Sequence, residues 1–398
     1  ISACLVGSEM CIRDRYVDVG TNSSLLLGRT MTVSGWVKID SHTGENPIIG
    51  ASKTSGADAH YYLGTRVSGS DKVWTFWRED EDGTDYNADS AAVTATGEWT
   101  HVVGTDDGTN IKLYINGVLT DTTAASGLTV PDTLNSVYLG RAEEGWDAAN
   151  SYLEGDIDEV SVWDVALDAD AVTAVYNSGS PINLLENKGN YDNKGDIVSW
   201  WRMGDNDSGA GDVLTDAVNP TVGADFITNG TFASDTGWTK GTGWSISGGK
   251  ATSDNSQTGS SSLSQTVSLV QGALYEITYD WSRASVGDVN FYLRSDSTGW
   301  LSETGTGRVV YLRHLGATGS TNFEVYTGAD SDGSVDNVTV RQINGNAGLL
   351  KNTPTFVVDN PPNYSNYSVD FDGTDQYVDV GTISTGTVHT YSAWHKLN

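Results

Sequence analysis

Two short segments in the second half of the chain alternate apolar and polar side chains in a pattern that suits sugar binding. The apolar positions 289, 291 and 293, and 323 and 325, should share a buried face if each segment is a strand. The outward face then carries Asn290, Tyr292, Arg294, Glu324 and Tyr326. Tyrosine rings stack on the CH faces of sugars, and planar polar groups exchange hydrogen bonds with sugar hydroxyls. The pattern predicts a carbohydrate-binding face; an ordinary solvated strand face is the alternative.

A second candidate lies in the segment Val73–Trp77, which carries aromatic side chains on both faces if it is extended. At least one of Trp74 and Trp77 should therefore lie outside the core. An exposed indole at this position would be a sugar-stacking platform, whereas burial under a neighbouring loop is the alternative.

One strand phrase occurs twice in the chain and defines its organisation. Tyr16–Gly20 reappears as Tyr377–Gly381, and each copy leads into a Ser-x-Trp-x-Lys segment, Ser34–Lys38 and Ser392–Lys396. The tyrosines are 361 residues apart (16 to 377) and the tryptophans are 358 apart (36 to 394). Repeats of solenoids and propellers have periods of roughly 20–50 residues, so this spacing indicates a duplicated domain. We expect residues 344–398 to be the truncated start of the second copy.

The first fifteen residues differ in character from the rest of the chain. Residues 1–15 resemble a translated sequencing-adapter read-through found at the ends of metagenomic gene models, and they lack the basic and apolar regions of a signal peptide. Cys4 and Cys11, the two cysteines of the sequence, both lie in this segment. The remainder is therefore expected to contain no disulfide, no thiolate nucleophile and no cysteine zinc site.

The composition favours an all-β protein and excludes some partners. Among 398 residues there are 46 Gly, 13 Trp and 18 Tyr, which indicates a turn-rich and aromatic-rich β fold. The net charge of −30 argues against nucleic acid as a partner, because phosphate binding needs clustered Lys and Arg. No apolar run approaches the ~18 residues that a membrane span needs. The acidity suits an extracellular, cell-surface or virion protein in a calcium-containing medium, and simple solubility is the alternative.

Strand signals dominate residues 16–205. Asn116-Gly117 predicts a tight hairpin turn, and Asp168 can cap a short helix that ends before Gly179. In order, Trp99–Val103, Ile111–Gly117, Tyr138–Gly140, Gly155–Val160 and Tyr176–Gly179 resemble the motifs of laminin-G-like (concanavalin A-like) jelly-roll domains. The resemblance implies a sandwich of two curved sheets that binds glycans or proteins, in some members through Ca²⁺.

The same superfold contains glucanases, so one carboxylate cluster is a candidate for a catalytic site. Retaining glucanases carry two catalytic glutamates and an aspartate alternating on one strand. Asp156 and Asp158 would share a face about 7 Å apart, but Glu159 would point the other way, and Val160 or Ser161 stands where the second glutamate should be. We therefore expect no enzymatic activity. The two aspartates are expected to cap loop amides or to hold a Ca²⁺ ion.

After a linker at 206–223, residues 224–343 show strand patterns throughout. Asn229–Phe232, the strand start Gly272–Tyr275 and the closing strand Val335–Val340 resemble cenC-like carbohydrate-binding modules of families four and nine. The resemblance implies a structural Ca²⁺ that is shared by the backbone of Thr231 and the side chain of Asp336. This chain has Ala233 where such modules often place an acidic ligand, so it lacks one ligand of that set.

These observations predict a fold class and a function. The fold is expected to be all-β, with two antiparallel β-sandwich (jelly-roll) domains in tandem and a truncated third. The expected function is non-catalytic carbohydrate binding and adhesion, with glycans or a glycosylated surface as partners and neither nucleic acid binding nor membrane insertion. Two alternatives remain: an accessory binding region of a polysaccharide-degrading enzyme, and a purely structural spacer.

Overall fold

A computed structural model describes residues 16–41, 45–53, 59–93, 95–142, 152–203, 213–283, 287–329 and 331–351. All of these residues fall within one of the two units of the chain, Ile1–Tyr364. The predicted second laminin-G-like copy, from residue 352 onward, and the segment 1–15 lie outside the described residues.

The first sandwich consists of an eight-stranded and a six-stranded sheet, both antiparallel. The eight-stranded sheet comprises β1 (Tyr16–Asp18), β3 (Pro47–Ser52), β4 (Ala59–Ser68), β5 (Asp71–Glu79), β6 (Asp85–Ala92), β10 (Ser136–Leu139), β13 (Val213–Leu214) and β25 (Gly348–Lys351). Their spatial order is β13-β25-β1-β10-β3-β4-β5-β6. The six-stranded sheet comprises β2 (Thr30–Ile39), β7 (Trp99–Asp107), β8 (Asn110–Ile115), β9 (Val118–Ala124), β11 (Gly155–Trp163) and β12 (Ile197–Trp201), in the order β12-β11-β2-β7-β8-β9.

Apolar side chains from alternate positions of these strands fill the space between the two sheets. Val33, Leu63, Phe76 and Leu113 are fully buried members of this core. A smaller apolar cluster forms where helix α1 (Ala169–Tyr176) and the following loops pack near Trp163. The helix is capped as the sequence predicts, because the Asp168 side chain accepts a hydrogen bond from the Ala171 N–H at 2.8 Å.

The second sandwich is also built from two antiparallel sheets. The five-stranded sheet comprises β15 (Thr239–Lys240), β18 (Ser261–Leu269), β20 (Val289–Leu293), β21 (Asp296–Ser297) and β23 (Gly319–Thr327), in the order β15-β18-β23-β20-β21. The other sheet comprises β14 (Val222–Asp225), β16 (Trp244–Ser247), β17 (Lys250–Asp254), β19 (Leu274–Arg283), β22 (Gly305–Arg313) and β24 (Asp332–Ile343). Its order is β16-β17-β24-β19-β22, and β14 also pairs with β24. Tryptophan, tyrosine and phenylalanine rings supply much of the core between them.

The structure confirms the predicted all-β fold with two antiparallel sandwiches, but the strand pairing differs from the predicted domain limits. Residues 213–214, predicted as linker, and 348–351, predicted as part of the third domain, pair with each other, and β25 also pairs with β1. Both segments therefore complete the first sandwich. Strands of two and four residues are too short to show a period of two, which is why the sequence pattern did not reveal them.

The second sandwich is thus inserted between β13 and β25. Its two ends lie side by side, because the Asn344 N–H donates to the Thr221 carbonyl at 2.9 Å and Val222 pairs with Ile343. In the first sandwich, the Asp216 carboxylate accepts hydrogen bonds from the backbone amides of Trp200, in β12, and Asn346, which precedes β25. The predicted start of this domain near residue 224 is consequently close to the observed beginning of β14 at 222.

Candidate functional site

The outward side of strands β18, β23 and β20 forms a regular grid of polar and aromatic residues. Tyr326 lies opposite Ser262 on one side and Asn290 on the other, and Glu324 lies between Ser264 and Tyr292 in the same way. We call this surface the tyrosine face and define it by Ser262, Ser264, Tyr292, Glu324 and Tyr326.

The buried side of the same strands shows why the grid has this orientation. Phe291, Phe323 and Val325 are fully buried, and the rings of Phe291 and Phe323 stack with centroids 6.0 Å apart. Because successive strand residues alternate between faces, burial of these residues turns their neighbours outward. The predicted alternation of β20 and β23 is therefore present in the structure.

Tyr292 and Tyr326 form the centre of the tyrosine face. Their ring centroids are 4.7 Å apart with the planes inclined by 57°, and both rings are half-buried. Each ring thus supports the other and loses rotamer freedom before a ligand arrives. A pair of tilted, partly exposed tyrosines on a rigid sheet offers an apolar surface with hydroxyl groups at its edge.

Asn290 differs from the expectation of an open position. Asn290 is only 2% exposed, and its Oδ1 accepts a hydrogen bond from the Thr298 hydroxyl at 3.1 Å. The chain after β21 turns back over this position, since the Thr298 N–H donates to the Phe291 carbonyl at 3.0 Å. Asn290 therefore supports the face from below and is not accessible to a ligand.

One acidic residue lies beside the tyrosine pair, and one basic residue lies in the turn that follows β20. The Glu324 carboxylate is half-buried and accepts a hydrogen bond from the Ser262 hydroxyl at 3.4 Å. Arg294 is exposed, and its backbone is held by a hydrogen bond from its N–H to the Asn322 carbonyl at 3.1 Å. Glu324 therefore adds an acidic group to the tyrosine face, whereas the Arg294 side chain lies near Gly316, where a Cβ would be 3.1 Å from the Arg294 Cδ.

Trp300 is an aromatic residue near this face that the strand pattern did not assign. It is 49% exposed and precedes Leu301, whose backbone forms a bridge with Val289. Alternation about this bridge places Trp300 on the side of Asn290, next to the tyrosine face. The available signal was the Gly-Trp-Leu sequence after a turn, which does not distinguish an exposed from a buried indole.

The two tryptophans proposed in β5 have different environments. Trp74 is buried in the first core, so it cannot be a sugar-stacking platform. Trp77 is half-buried, packs edge-on against Tyr62 at 6.3 Å, and donates its indole N–H to Asp85 at 3.0 Å. Of this pair, Trp77 alone presents an aromatic surface on the outer side of its sheet.

Near the other end of that sheet, three tyrosines surround a guanidinium group that sequence reasoning missed. The Arg141 guanidinium carbon lies 4.6 Å from the ring centroids of both Tyr16 and Tyr138 and 5.6 Å from that of Tyr152. Asp18 and Tyr138 are paired in register across β1 and β10. The cluster is a cation–π arrangement whose cation comes from the chain itself, so its rings are already occupied.

The carboxylates of β11 are held by the protein. Asp156 lies 3.8 Å from the Lys38 ammonium group, and the buried Asp158 accepts a hydrogen bond from the Glu159 N–H at 2.8 Å. The Glu159 carboxylate accepts hydrogen bonds from the Trp200 indole at 2.6 Å and from Arg202 at 3.3 Å. Such tethered groups satisfy buried donors and do not form the pair of opposed carboxylates that glycoside hydrolysis requires.

The residues that the resemblance suggested for calcium, Thr231 and Asp336, lie in a network of hydrogen bonds. Asp336 accepts a hydrogen bond from the Asn337 N–H at 2.7 Å, and the facing Asp280 accepts from the Gly307 N–H and the Asn337 amide. The Gly230 carbonyl, next to the exposed Thr231, accepts from the Val338 N–H. Since a carboxylate that accepts one hydrogen bond retains free lone pairs, the calcium site at Asp336 stays a prediction. In the described residues, no three His, Cys, Asp or Glu side chains are grouped closely enough to hold a metal ion by themselves.

Within the described part of the chain, no helix has the length and apolar character that crossing a membrane would require.

Comparison with known families gives a match for the first sandwich. The family model Laminin_G_3, described as the concanavalin A-like lectin/glucanases superfamily, matches residues 13–173. No curated protein matches the chain in sequence.

Solved structures with a similar fold include a heptameric SAP-like pentraxin from Limulus polyphemus, with 18% identity, covering 42% of this chain and 82% of that chain at a TM-score of 0.31. Domain 4 of an extracellular arabinanase from Geobacillus stearothermophilus, in complex with arabinotriose, shows 25% identity over 40% of this chain and 69% of that chain, at a TM-score of 0.31. The CBM40 module of a Ruminococcus gnavus sialidase, bound to α2,3-sialyllactose, shows 18% identity. The match covers 40% of this chain and 92% of that chain at a TM-score of 0.32.

Proposed function

We propose that this chain is a non-catalytic, lectin-like protein that binds glycans, and the match of residues 13–173 to the family model of the concanavalin A-like lectin/glucanases superfamily supports this proposal. The binding surface in this proposal is the tyrosine face of the inserted sandwich. Its extracellular setting, on a cell surface or a virion, belongs to the same proposal and is supported by the net charge of −30.

The tilted pair Tyr292 and Tyr326 is the observation that carries the proposal. Two tyrosine rings that meet across neighbouring strands stabilise the sheet, and the part of each ring that stays exposed can also receive a ligand. Here they lie above a core that is already closed by Phe291 and Phe323. Sugar rings provide the apolar CH surface that such a pair can cover, and Glu324 can accept hydrogen bonds from their hydroxyls.

The absence of catalysis in the proposal is supported by the carboxylates of β11. Glu159 and Asp158 serve as hydrogen-bond acceptors for the indole of Trp200 and for a main-chain amide. Glu159 is buried, so it cannot approach a glycosidic bond without disrupting this network.

The decisive experiment is a glycan array with the full chain, followed by titration of the ligands it finds. Tyr292→Ala should weaken binding about fivefold, because losing one partner of an aromatic platform removes roughly 1 kcal/mol. The matched control is Trp77→Ala, which removes the half-buried indole of the first sandwich. If Trp77→Ala weakened binding and Tyr292→Ala had no effect, the site would lie on the first sandwich and not on the tyrosine face. Binding to no glycan would refute the proposal as a whole.

A further inference from the structure

We propose that the joint between the two sandwiches is a fixed one: the inserted sandwich does not swing on its two chain connections, and both sandwiches unfold as one cooperative unit. The joint is defined by Arg313, Gly20, Gly272 and the apolar cluster around Leu274. Relative motion is the usual expectation for two domains that share a small interface. The contacts at this joint oppose such motion, whether or not the tyrosine face binds a glycan.

The first set of contacts belongs to Arg313, which is 7% exposed at the end of β22. Its Nη2 donates to the Asp18 carbonyl of β1 at 2.8 Å and to the Ala347 carbonyl before β25 at 2.9 Å. Its Nη1 donates to the Gly272 carbonyl of the inserted sandwich at 2.8 Å. Hydrogen bonds from a charged donor are roughly twice as strong as neutral ones. Because one planar group holds segments of both sandwiches, a swing of the inserted sandwich would break several of these bonds together.

Two glycines allow the close approach on which these bonds depend. Gly20 of the first sandwich has a φ of 85°, and Gly272 of the inserted one has a φ of 79°. A Cβ on Gly20 would lie 2.7 Å from the Arg313 Cδ, and a Cβ on Gly272 would lie 3.0 Å from the Thr21 carbonyl carbon. Each glycine therefore lies where the opposite sandwich leaves no room for a side chain.

An apolar cluster closes the joint beside the arginine. Leu274 of β19 and Ile343 of β24 are buried there, and Tyr311 of β22 packs against them. The first sandwich contributes the buried Ala347 and the partly buried Val213 of β13. Swinging the inserted sandwich away would expose this apolar surface to water, which is unfavourable.

The two chain connections strengthen the effect of these contacts. They leave the first sandwich side by side, since the Asn344 N–H donates to the Thr221 carbonyl at 2.9 Å and Val222 pairs with Ile343. A short tether keeps the facing surfaces at an effective concentration on the order of millimolar. An interface smaller than that of a complex between separate chains therefore suffices to keep the joint closed.

The test uses the full chain and pulse-labelling hydrogen exchange with mass spectrometry across a urea series, which gives an unfolding midpoint for each sandwich separately. Gly249→Ala is the perturbation. Gly249 has a φ of 76° in the turn between β16 and β17, and a Cβ there would meet nothing within 4 Å. The substitution therefore strains the backbone of the inserted sandwich alone. Both midpoints should coincide in the parent chain and fall together in Gly249→Ala, by about 0.3 M urea. A fall of the inserted sandwich's midpoint alone would show a hinge and overturn the proposal.

Two further variants test the contacts of the joint. Arg313→Met removes the hydrogen bonds, so the two midpoints should separate, and adding Gly249→Ala should then lower the midpoint of the inserted sandwich alone. Gly272→Ala imposes a left-handed strain similar to that of Gly249→Ala, but its methyl group also meets Thr21. It should separate the midpoints, whereas Gly249→Ala leaves them coincident, and it keeps the test valid if Arg313→Met fails to fold. Coincident midpoints in both joint variants would overturn the assignment of the joint to these contacts.

Discussion

His101 packs against both Trp36 and Tyr176 on the outer side of the six-stranded sheet, with their ring centroids 5.0 and 6.0 Å away. Its Nε2 lies 2.8 Å from the Ser34 hydroxyl. Burial lowers the pKa of His101 to about 3, because the charged imidazolium would lose its hydration there. Burial likewise lowers the pKa of His60 to about 3. Both residues are therefore neutral in the folded protein at neutral and mildly acidic pH.

These pKa values predict how stability depends on pH. An unfolded histidine takes up a proton near pH 6.5, but folded His101 does not, so the unfolded state binds more protons between pH 6.5 and 3. Its contribution to stability is complete above pH 6.5 and is lost as the pH falls, at up to about 1.4 kcal/mol per pH unit. Urea unfolding at pH 6.5, 6.0, 5.5 and 5.0 should show a shallower decline for His101→Gln than for the parent chain. Parallel declines would show that His101 titrates normally.

The same dependence on surroundings limits what residue types alone can predict. Tyr292 and Tyr326 follow from strict alternation, because one face of each strand is closed by phenylalanine. Asn290 obeys the same alternation, yet it is buried by Thr298, which returns from a two-residue strand. Trp74 and Trp77 were expected on opposite faces, and the pattern could not determine which face belonged to the core. Alternation reports the relative orientation of side chains, while burial is decided by segments that lie elsewhere in the sequence.

At the scale of elements, the sequence predicts structure best where neighbouring residues along the chain set the backbone conformation. Asn116-Gly117 has positive φ at both residues, 50° and 77°, as a tight hairpin turn requires. Helix α1 begins at the Asp168 cap and ends at Asn177 in the left-handed conformation. Strands β13 and β25 gave no such signal, because they are ordered by pairing with each other and with β1.

The capping interaction makes a quantitative prediction for helix α1. The Asp168 side chain accepts the Ala171 N–H, so Asp168→Ala should lower the free energy of unfolding by about 1 kcal/mol. Asp170 lies in the first turn and is the matched control; its carboxylate contributes through the helix dipole alone, so Asp170→Ala should cost at most about 0.5 kcal/mol. Both values can be measured by urea unfolding at pH 7. Equal effects of the two substitutions would contradict a specific cap.

At the scale of the whole molecule, a buried arginine joins the inserted sandwich to the first one. Arg313, at the end of β22, donates hydrogen bonds to the carbonyls of Gly272, Asp18 and Ala347 at 2.8 to 2.9 Å. Asp18 belongs to β1 of the first sandwich, and Ala347 precedes β25. Burial lowers the pKa of Arg313, but the nearby Asp18 carboxylate opposes this effect. The two sandwiches therefore share a polar contact in addition to two chain connections.

The duplication predicted from Tyr16–Gly20 and Tyr377–Gly381 cannot be compared with the structure, because the second copy lies outside the described residues. The insertion, by contrast, was not evident from the sequence. The register that joins Val213 to Leu349 spans more than a hundred residues, and nothing local distinguishes it from a linker.

The insertion predicts which fragments will fold. Replacing residues 221–344 by a Gly-Ser dipeptide should leave the first sandwich folded, since Thr221 and Asn344 already lie within hydrogen-bond distance. A fragment that ends at residue 205 should be clearly less stable, because it loses β13 and β25 and leaves the Trp201 indole without its hydrogen bond to the Asn346 carbonyl. An unsatisfied buried donor alone costs about 1–3 kcal/mol. Thermal unfolding of both variants measures the difference, and equal stability would show that the returning strand contributes nothing to the first sandwich.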